Sequence, residues 1–184
     1  GLVVAAVQTR FERRLSREHQ SLLLGGAWLL PQVVVFSYAG LFHRYYLEML
    51  APAIAALAAI GLVAMWKAYL GGAARGWLLP LALAGTAGVE ALILSDYPDY
   101  SAWLTPLALG VTLAASAVLV FWRLARRPTA GPALPAVASG VLALLAPLAV
   151  WAFFPVWYAG DAALPYASPD LAERAIAGPN IIAE

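Results

Sequence analysis

The 184-residue chain contains no cysteine. Disulfides, thiolate catalysis and cysteine-ligated zinc or iron–sulfur centres are therefore excluded. Charge is scarce as well: 11% of residues are charged, against about 25% in a soluble domain. The net charge of +1, with Lys67 the single lysine, leaves no broad basic face for nucleic acid. Also missing are a Walker loop, a Gly-rich dinucleotide fingerprint, H-E-x-x-H and G-x-S-x-G, which removes the familiar signatures of nucleotide, zinc-peptidase and serine-hydrolase chemistry. No internal repeat and no low-complexity linker divides the chain.

What is present is apolar: 63% of residues are hydrophobic and the mean hydropathy is +0.80. A globular core in water does not absorb that much apolar surface. Five apolar runs, near residues 21–40, 46–66, 77–94, 102–122 and 134–154, each match a hydrocarbon core of about 30 Å at 1.5 Å per residue. They are continuous and lack the alternation of barrel strands, so the expected fold is all-α, a polytopic membrane helix bundle. Residues 1–7 are apolar but too short to span. They are expected to end a truncated first helix of a longer membrane protein, since the basic residues follow the run instead of preceding it as in a signal peptide. The transmembrane region is thus expected over 1–154, and a short outer tail over 155–184. In that tail Ser168-Pro169-Asp170 supplies a hydroxyl cap, a first-turn proline and an acid at the positive dipole end, and Gly178-Pro179 a stop, which predicts a small helix near 169–177.

Orientation follows from arginine. Arg10, Arg13, Arg14 and Arg17, then Lys67 and Arg75, then Arg123, Arg126 and Arg127 occupy alternate loops, so nine of the eleven basic residues share one side. By the positive-inside rule that side is cytoplasmic and the tail is extracytoplasmic. Ala84 and Gly88 form a small-xxx-small step suited to close helix contact, unless they only reflect an alanine-rich composition.

Polar chemistry gathers at the opposite surface. His43, Arg44, Tyr45 and Tyr46 fall within about one turn and offer hydrogen-bond donors for an anionic headgroup, or else an interfacial anchor belt. On an α-helix His43 and Tyr46 share one face, and Arg44 and Glu48 another, where the two can pair. Pro52 cannot donate to the carbonyl of residue 48, which predicts a kinked polar spot beside Glu48. Glu90, Asp96 and Asp99 also lie toward that surface. With His43 they supply oxygen and imidazole ligands for a divalent cation, or else a solvated acidic bend. No ligand spacing is diagnostic, and no metal or other cofactor is expected.

The stretch Val35-Phe36-Ser37-Tyr38-Ala39-Gly40-Leu41-Phe42-His43-Arg44-Tyr45-Tyr46, followed by Leu50-Ala51-Pro52-Ala53-Ile54-Ala55-Ala56-Leu57, resembles bacterial membrane glycosyltransferases of the dolichyl-phosphate-mannose-protein mannosyltransferase type, relatives of the lipid A aminoarabinose transferases. Ala146-Pro147 and Leu164-Pro165-Tyr166-Ala167-Ser168-Pro169 are more loosely similar to the later part of that family. The resemblance implies a GT-C fold in a bacterial plasma membrane. It implies a polyprenyl-phosphate-linked sugar as donor, transfer on the outer face and departure of the lipid phosphate. His43, Tyr45 and Tyr46 match the family motif and would lie near the donor phosphate. Arg44 stands where the family commonly has proline and would add phosphate affinity. Glu48 stands where an uncharged residue is expected. The family's catalytic acid lies in an early outer loop outside this chain, so no catalytic residue is assigned here. The competing class is a non-enzymatic membrane protein, either part of a transporter or a helical scaffold for other subunits. The expected partners are the lipid bilayer and the lipid-linked sugar; the sequence is silent on oligomeric state.

Overall fold

The computed structural model describes residues 16–40, 44–125, 129–159 and 166–177, and of Arg44 and Tyr45 the backbone only. The apolar segment over 1–7, Arg10, Arg13, Arg14, His43, Arg126, Arg127, Leu164 and Pro165 lie outside the described residues. The described residues form helices and no strands: α1 (Arg17–Tyr38), a 3-10 helix (Arg44–Leu50), α2 (Ala51–Leu70), a short 3-10 turn (Ala74–Trp77), α3 (Leu78–Leu94), α4 (Pro98–Leu124), α5 (Ala130–Tyr158) and α6 (Asp170–Ala177). Five helical segments, of 22, 25, 21, 27 and 29 residues, are long and apolar enough to cross a membrane. The protein is a polytopic membrane helix bundle.

Successive long helices run in opposite directions. One end of the bundle carries Lys67, Arg75 and Arg123 and is called the basic end; the other carries Asp96 and Asp99 and is called the acidic end. The helices overrun the apolar runs. α4 begins at Pro98, whose missing amide costs nothing in a first turn, and α5 continues to Tyr158 through Pro135, Pro147 and Pro155.

α3, α4 and α5 form the tightest part of the bundle, through small residues. Thr112, fully buried, donates to the Gly140 carbonyl across 3.3 Å. A methyl built on Gly140 would sit 3.2 Å from the Ala115 Cβ and 3.8 Å from Leu83. That backbone approach is what glycine permits, and in lipid such close packing replaces a hydrophobic driving force. The expected Ala84–Gly88 step is not this seam: a methyl on Gly88 would meet nothing within 4 Å. Small residues are too common here for spacing to decide. The rotation of α3 puts Leu79, Leu83, Ala87 and Leu94 inward instead.

α2 joins this group at the basic end, where Tyr69 is fully buried and its hydroxyl donates to the Leu119 carbonyl at 2.8 Å. Arg123 lies in the last turn of α4 and is buried, not a free loop residue. Its guanidinium donates to the carbonyls of Tyr69 at 3.4 Å and Gly72 at 3.3 Å, and to that of Ala73. It also lies over the rings of Trp77 (5.2 Å) and Tyr69 (5.9 Å). The carbonyls at the end of α2 carry the negative pole of that helix, so the one residue caps α2 and fixes the turn into α3.

α1 is the peripheral member. It packs on α2, with Gly25 against Leu57 and a 3.8 Å ion pair between Glu18 and Lys67. It turns Leu24, Leu30, Val34 and Val35 outward. At the acidic end α6 covers part of α5: Leu171 and Ala172 are buried against Phe154, beside Tyr100, Trp151 and Tyr166. The Asp170 amide donates to the Ser168 hydroxyl at 3.5 Å, and Arg174 lies 5.7 Å over the Tyr166 ring.

Candidate functional site

The joint between α1 and α2 carries most of the residues singled out in the sequence. Its backbone departs from the expected α-helical span over 46–66: residues 44–50 are a 3-10 helix, and α2 starts only at Ala51. Pro52 explains the change. Its ring cannot donate to the Glu48 carbonyl, so an α-helix cannot run through 48–52 with its bonds intact. The α-helix starts at the proline, where no amide is required, and the preceding seven residues wind more tightly. The expected kink is therefore a junction between two kinds of helix.

The tighter winding redistributes the faces. At three residues per turn, positions 44 and 48 fall about a third of a turn apart; the Arg44 side chain, and with it the expected pairing to Glu48, lies outside the described residues. Tyr46 and Met49 now stack in register, and both meet α1. The Tyr46 ring stacks on Phe36 at 6.4 Å with planes 9° apart. The Met49 carbonyl accepts from Trp28 Nε1 at 3.1 Å. With its amide nitrogen turned to that carbonyl, Gln32 donates to Met49 at 3.1 Å and its oxygen accepts from Trp28 Nε1 at 3.0 Å. Glu48 is exposed.

Trp28 and Gln32 were not anticipated as site residues. Gln32 carried a signal: a lone amide in an apolar run must find a partner in the membrane. Together with Leu24 and Ala27 they line a shallow, open depression of about 290 Å³ on α1. Chemically this is an apolar trough with an indole and an amide at one end, leading toward the 3-10 segment.

The second set of expected polar residues lies on a different hairpin. Asp96 and Asp99 are exposed at the turn between α3 and α4. Glu90 lies one turn deeper, on the stripe that holds the buried Leu83, Ala87 and Leu94. Glu48 belongs to the α1–α2 joint instead. Among the described residues no three His, Asp or Glu side chains come together as a metal-binding group.

Comparison with known proteins places this arrangement in context. No protein-family model and no solved structure matches the chain. Two proteins of Bacillus subtilis (strain 168) do. The chain is 39% identical over 175 residues to "Putative mannosyltransferase YkcB", covering 94% of this chain and 24% of that protein. It is 36% identical over 187 residues to "Putative mannosyltransferase YycA", covering 97% of this chain and 26% of that protein. The chain thus spans about a quarter of the length of the curated relatives it matches, and over nearly all of its own length it is similar to proteins named as mannosyltransferases.

Proposed function

We propose that this chain is the C-terminal membrane part of a glycosyltransferase, of the GT-C kind, that moves a mannosyl or related sugar from a polyprenyl-phosphate donor to an acceptor at the outer face of a bacterial plasma membrane. The observation that carries the reading is the similarity, over more than nine-tenths of the chain, to two proteins named as mannosyltransferases. The acidic end faces outward and the basic end faces the cytoplasm, in line with the arginine distribution.

The α1–α2 joint is the donor-phosphate site in this reading. The leaving group is an anion at membrane depth, and donors aimed at it stabilise the transition state most where water is scarce. His43, Arg44, Tyr45 and Tyr46 supply those donors. The trough along Leu24, Ala27 and Trp28 takes part of the polyprenyl chain. The stacking of Tyr46 on Phe36 and the bonds from Trp28 and Gln32 to Met49 hold residues 46–49 against α1, which orders the Tyr46 end of the segment before the phosphate arrives. No residue of this chain is assigned to activating the acceptor.

The test is transfer from a polyprenyl-phosphate mannose by the full-length protein in liposomes. His43→Ala and Tyr46→Ala are expected to lower transfer by tenfold or more while the protein remains folded. Unchanged transfer in both variants removes the phosphate-site assignment. A full-length protein that transfers from no polyprenyl-phosphate sugar removes the glycosyltransferase reading and returns the chain to the transporter or scaffold class.

A further inference from the structure

Pro52 forces a choice of winding on the residues before it. In an α-helix each amide donates four residues back, and in a 3-10 helix three back. Pro52 has no amide to give. An α-helical winding of the joint would therefore strand the Glu48 carbonyl, and a 3-10 winding strands that of Met49. The segment takes the second course, as a 3-10 helix over Arg44–Leu50. α2 then begins at Ala51 with Leu50 as its N-cap, and an N-cap carbonyl accepts the first bond of its helix. The Met49 carbonyl thus falls between two helices, and neither supplies its donor.

α1 supplies it instead. Trp28 Nε1 donates to Met49 at 3.1 Å, and the Gln32 amide donates at 3.1 Å while its oxygen accepts from Trp28 Nε1 at 3.0 Å. Trp28, Gln32 and Phe36 are spaced four apart, so one face of α1 carries both donors and the ring that stacks on Tyr46. Little water reaches an apolar span to serve a bare carbonyl. The donors on α1 therefore weigh on the choice: they satisfy the carbonyl that the 3-10 winding strands.

That choice decides where Tyr46 points. A 3-10 helix turns about 120° per residue and an α-helix about 100°. Tyr46 stands four residues before Leu50. A switch to α-helical winding would rotate it by about 80° around the axis of α2 and carry its ring off Phe36.

We propose that Trp28 and Gln32 are positioning residues: by serving the Met49 carbonyl in place of the amide that Pro52 lacks, they select the 3-10 winding of residues 44–50 and so set the direction of Tyr46. What Tyr46 is directed at rests on the donor-phosphate reading above; the winding does not.

The experiment has two arms, both on the full-length protein with Trp28→Phe and Gln32→Leu combined. Phenylalanine keeps a ring against the trough and loses only the indole donor. In the first arm nitroxides are attached at Leu47→Cys and Ala58→Cys, with any other cysteine replaced, and their separation is measured by electron paramagnetic resonance. Both positions are exposed. In the 3-10 winding they lie about 80° apart around the axis, and in a continuous α-helix about 20° apart. The expected result is a distance distribution that shortens or broadens by several ångströms in the double variant. An unchanged distribution overturns the proposal. The second arm measures transfer from a polyprenyl-phosphate mannose in liposomes. The double variant is expected to lower kcat/KM for the donor at least fivefold with the acceptor KM unchanged, and adding Tyr46→Ala to it should cost less than a further twofold. A Tyr46→Ala penalty as large in the double variant as in the wild type overturns the positioning role. Absence of transfer by the wild-type protein from any polyprenyl-phosphate sugar instead removes the donor-phosphate reading, and the first arm still decides the winding.

Discussion

The buried Arg123 gives the most demanding prediction, because one glycine was left to accommodate it. A methyl built on Gly76 would collide with the Arg123 guanidinium and come within 2.9 Å of the Ala68 carbonyl. In Gly76→Ala the guanidinium must therefore move away from the carbonyls of Tyr69, Gly72 and Ala73. Hydrogen bonds from a charged donor contribute about 1.5–3 kcal/mol each in soluble proteins, while pairs in membrane helices average nearer 0.6 kcal/mol. Losing about two of the three, with partial loss of the ring contacts, costs about 2–4 kcal/mol. That loss lowers Tm, by less per kcal/mol the larger the unit that unfolds. The assay is thermal unfolding of the full-length protein in detergent, followed by fluorescence-detected gel filtration, as a double-mutant cycle. Arg123→Ala alone is expected to cost a similar amount. In the Arg123→Ala background, Gly76→Ala should cost less than half of its single-mutant value, because only the Ala68 contact remains. Equal penalties in both backgrounds would show that Gly76 and Arg123 are not coupled, and the clamp would be wrong.

The remaining predictions probe other parts of the bundle. Gly140→Ile should destabilise the protein by at least about 2 kcal/mol in the same assay, since its side chain must displace Ala115 and Leu83, whereas Gly88→Ala should be near neutral. Thr112→Val removes one interhelical bond in lipid and should cost only about 0.6 kcal/mol. Gln32→Leu frees one contact to the Met49 carbonyl; it should leave Tm within about 3 °C of wild type but speed proteolytic cleavage between residues 40 and 50. Because the chain has no cysteine, single cysteines introduced at Asp99 and Arg75 report sidedness directly. Asp99→Cys should react with an impermeant thiol reagent from outside, and reaction of Arg75→Cys from outside would invert the proposed orientation.

The existence and type of the long helices were legible because length and hydropathy decide them before any packing does. Their ends were not. Aromatic and polar residues such as Tyr97, Asp99 and Tyr100 stand at the edge of the apolar run yet belong to the helix hairpin, where Tyr97 and Tyr100 pack edge-on against Trp151. Pro52 was legible as an interruption, but the same proline fits a kink within a helix or the start of one. The choice depends on the winding of residues 44–50, which shows no pattern in sequence. Arg123 looked like one more orienting arginine because scarce charge in such chains is usually topological. Its partners, some 50 residues earlier, are backbone carbonyls and leave no mark in the sequence. Trp28 and Gln32 were hidden for the same reason: their partner is the Met49 carbonyl, 21 residues from Trp28.

The Arg123 clamp also orders events in time. The turn at residues 71–73 leaves the ribosome well before the arginine that holds it, with 51 residues separating Gly72 from its donor. At about 5–20 residues per second the turn waits roughly 3–10 s for its partner. During that interval the α1–α2 hairpin can enter the bilayer on its own, and α3 can reorient against it. The end of α4 then closes the α2–α3 turn, so a substitution at Arg123 should prolong exposure of the nascent chain to insertion chaperones and membrane proteases before it lowers the stability of the finished protein.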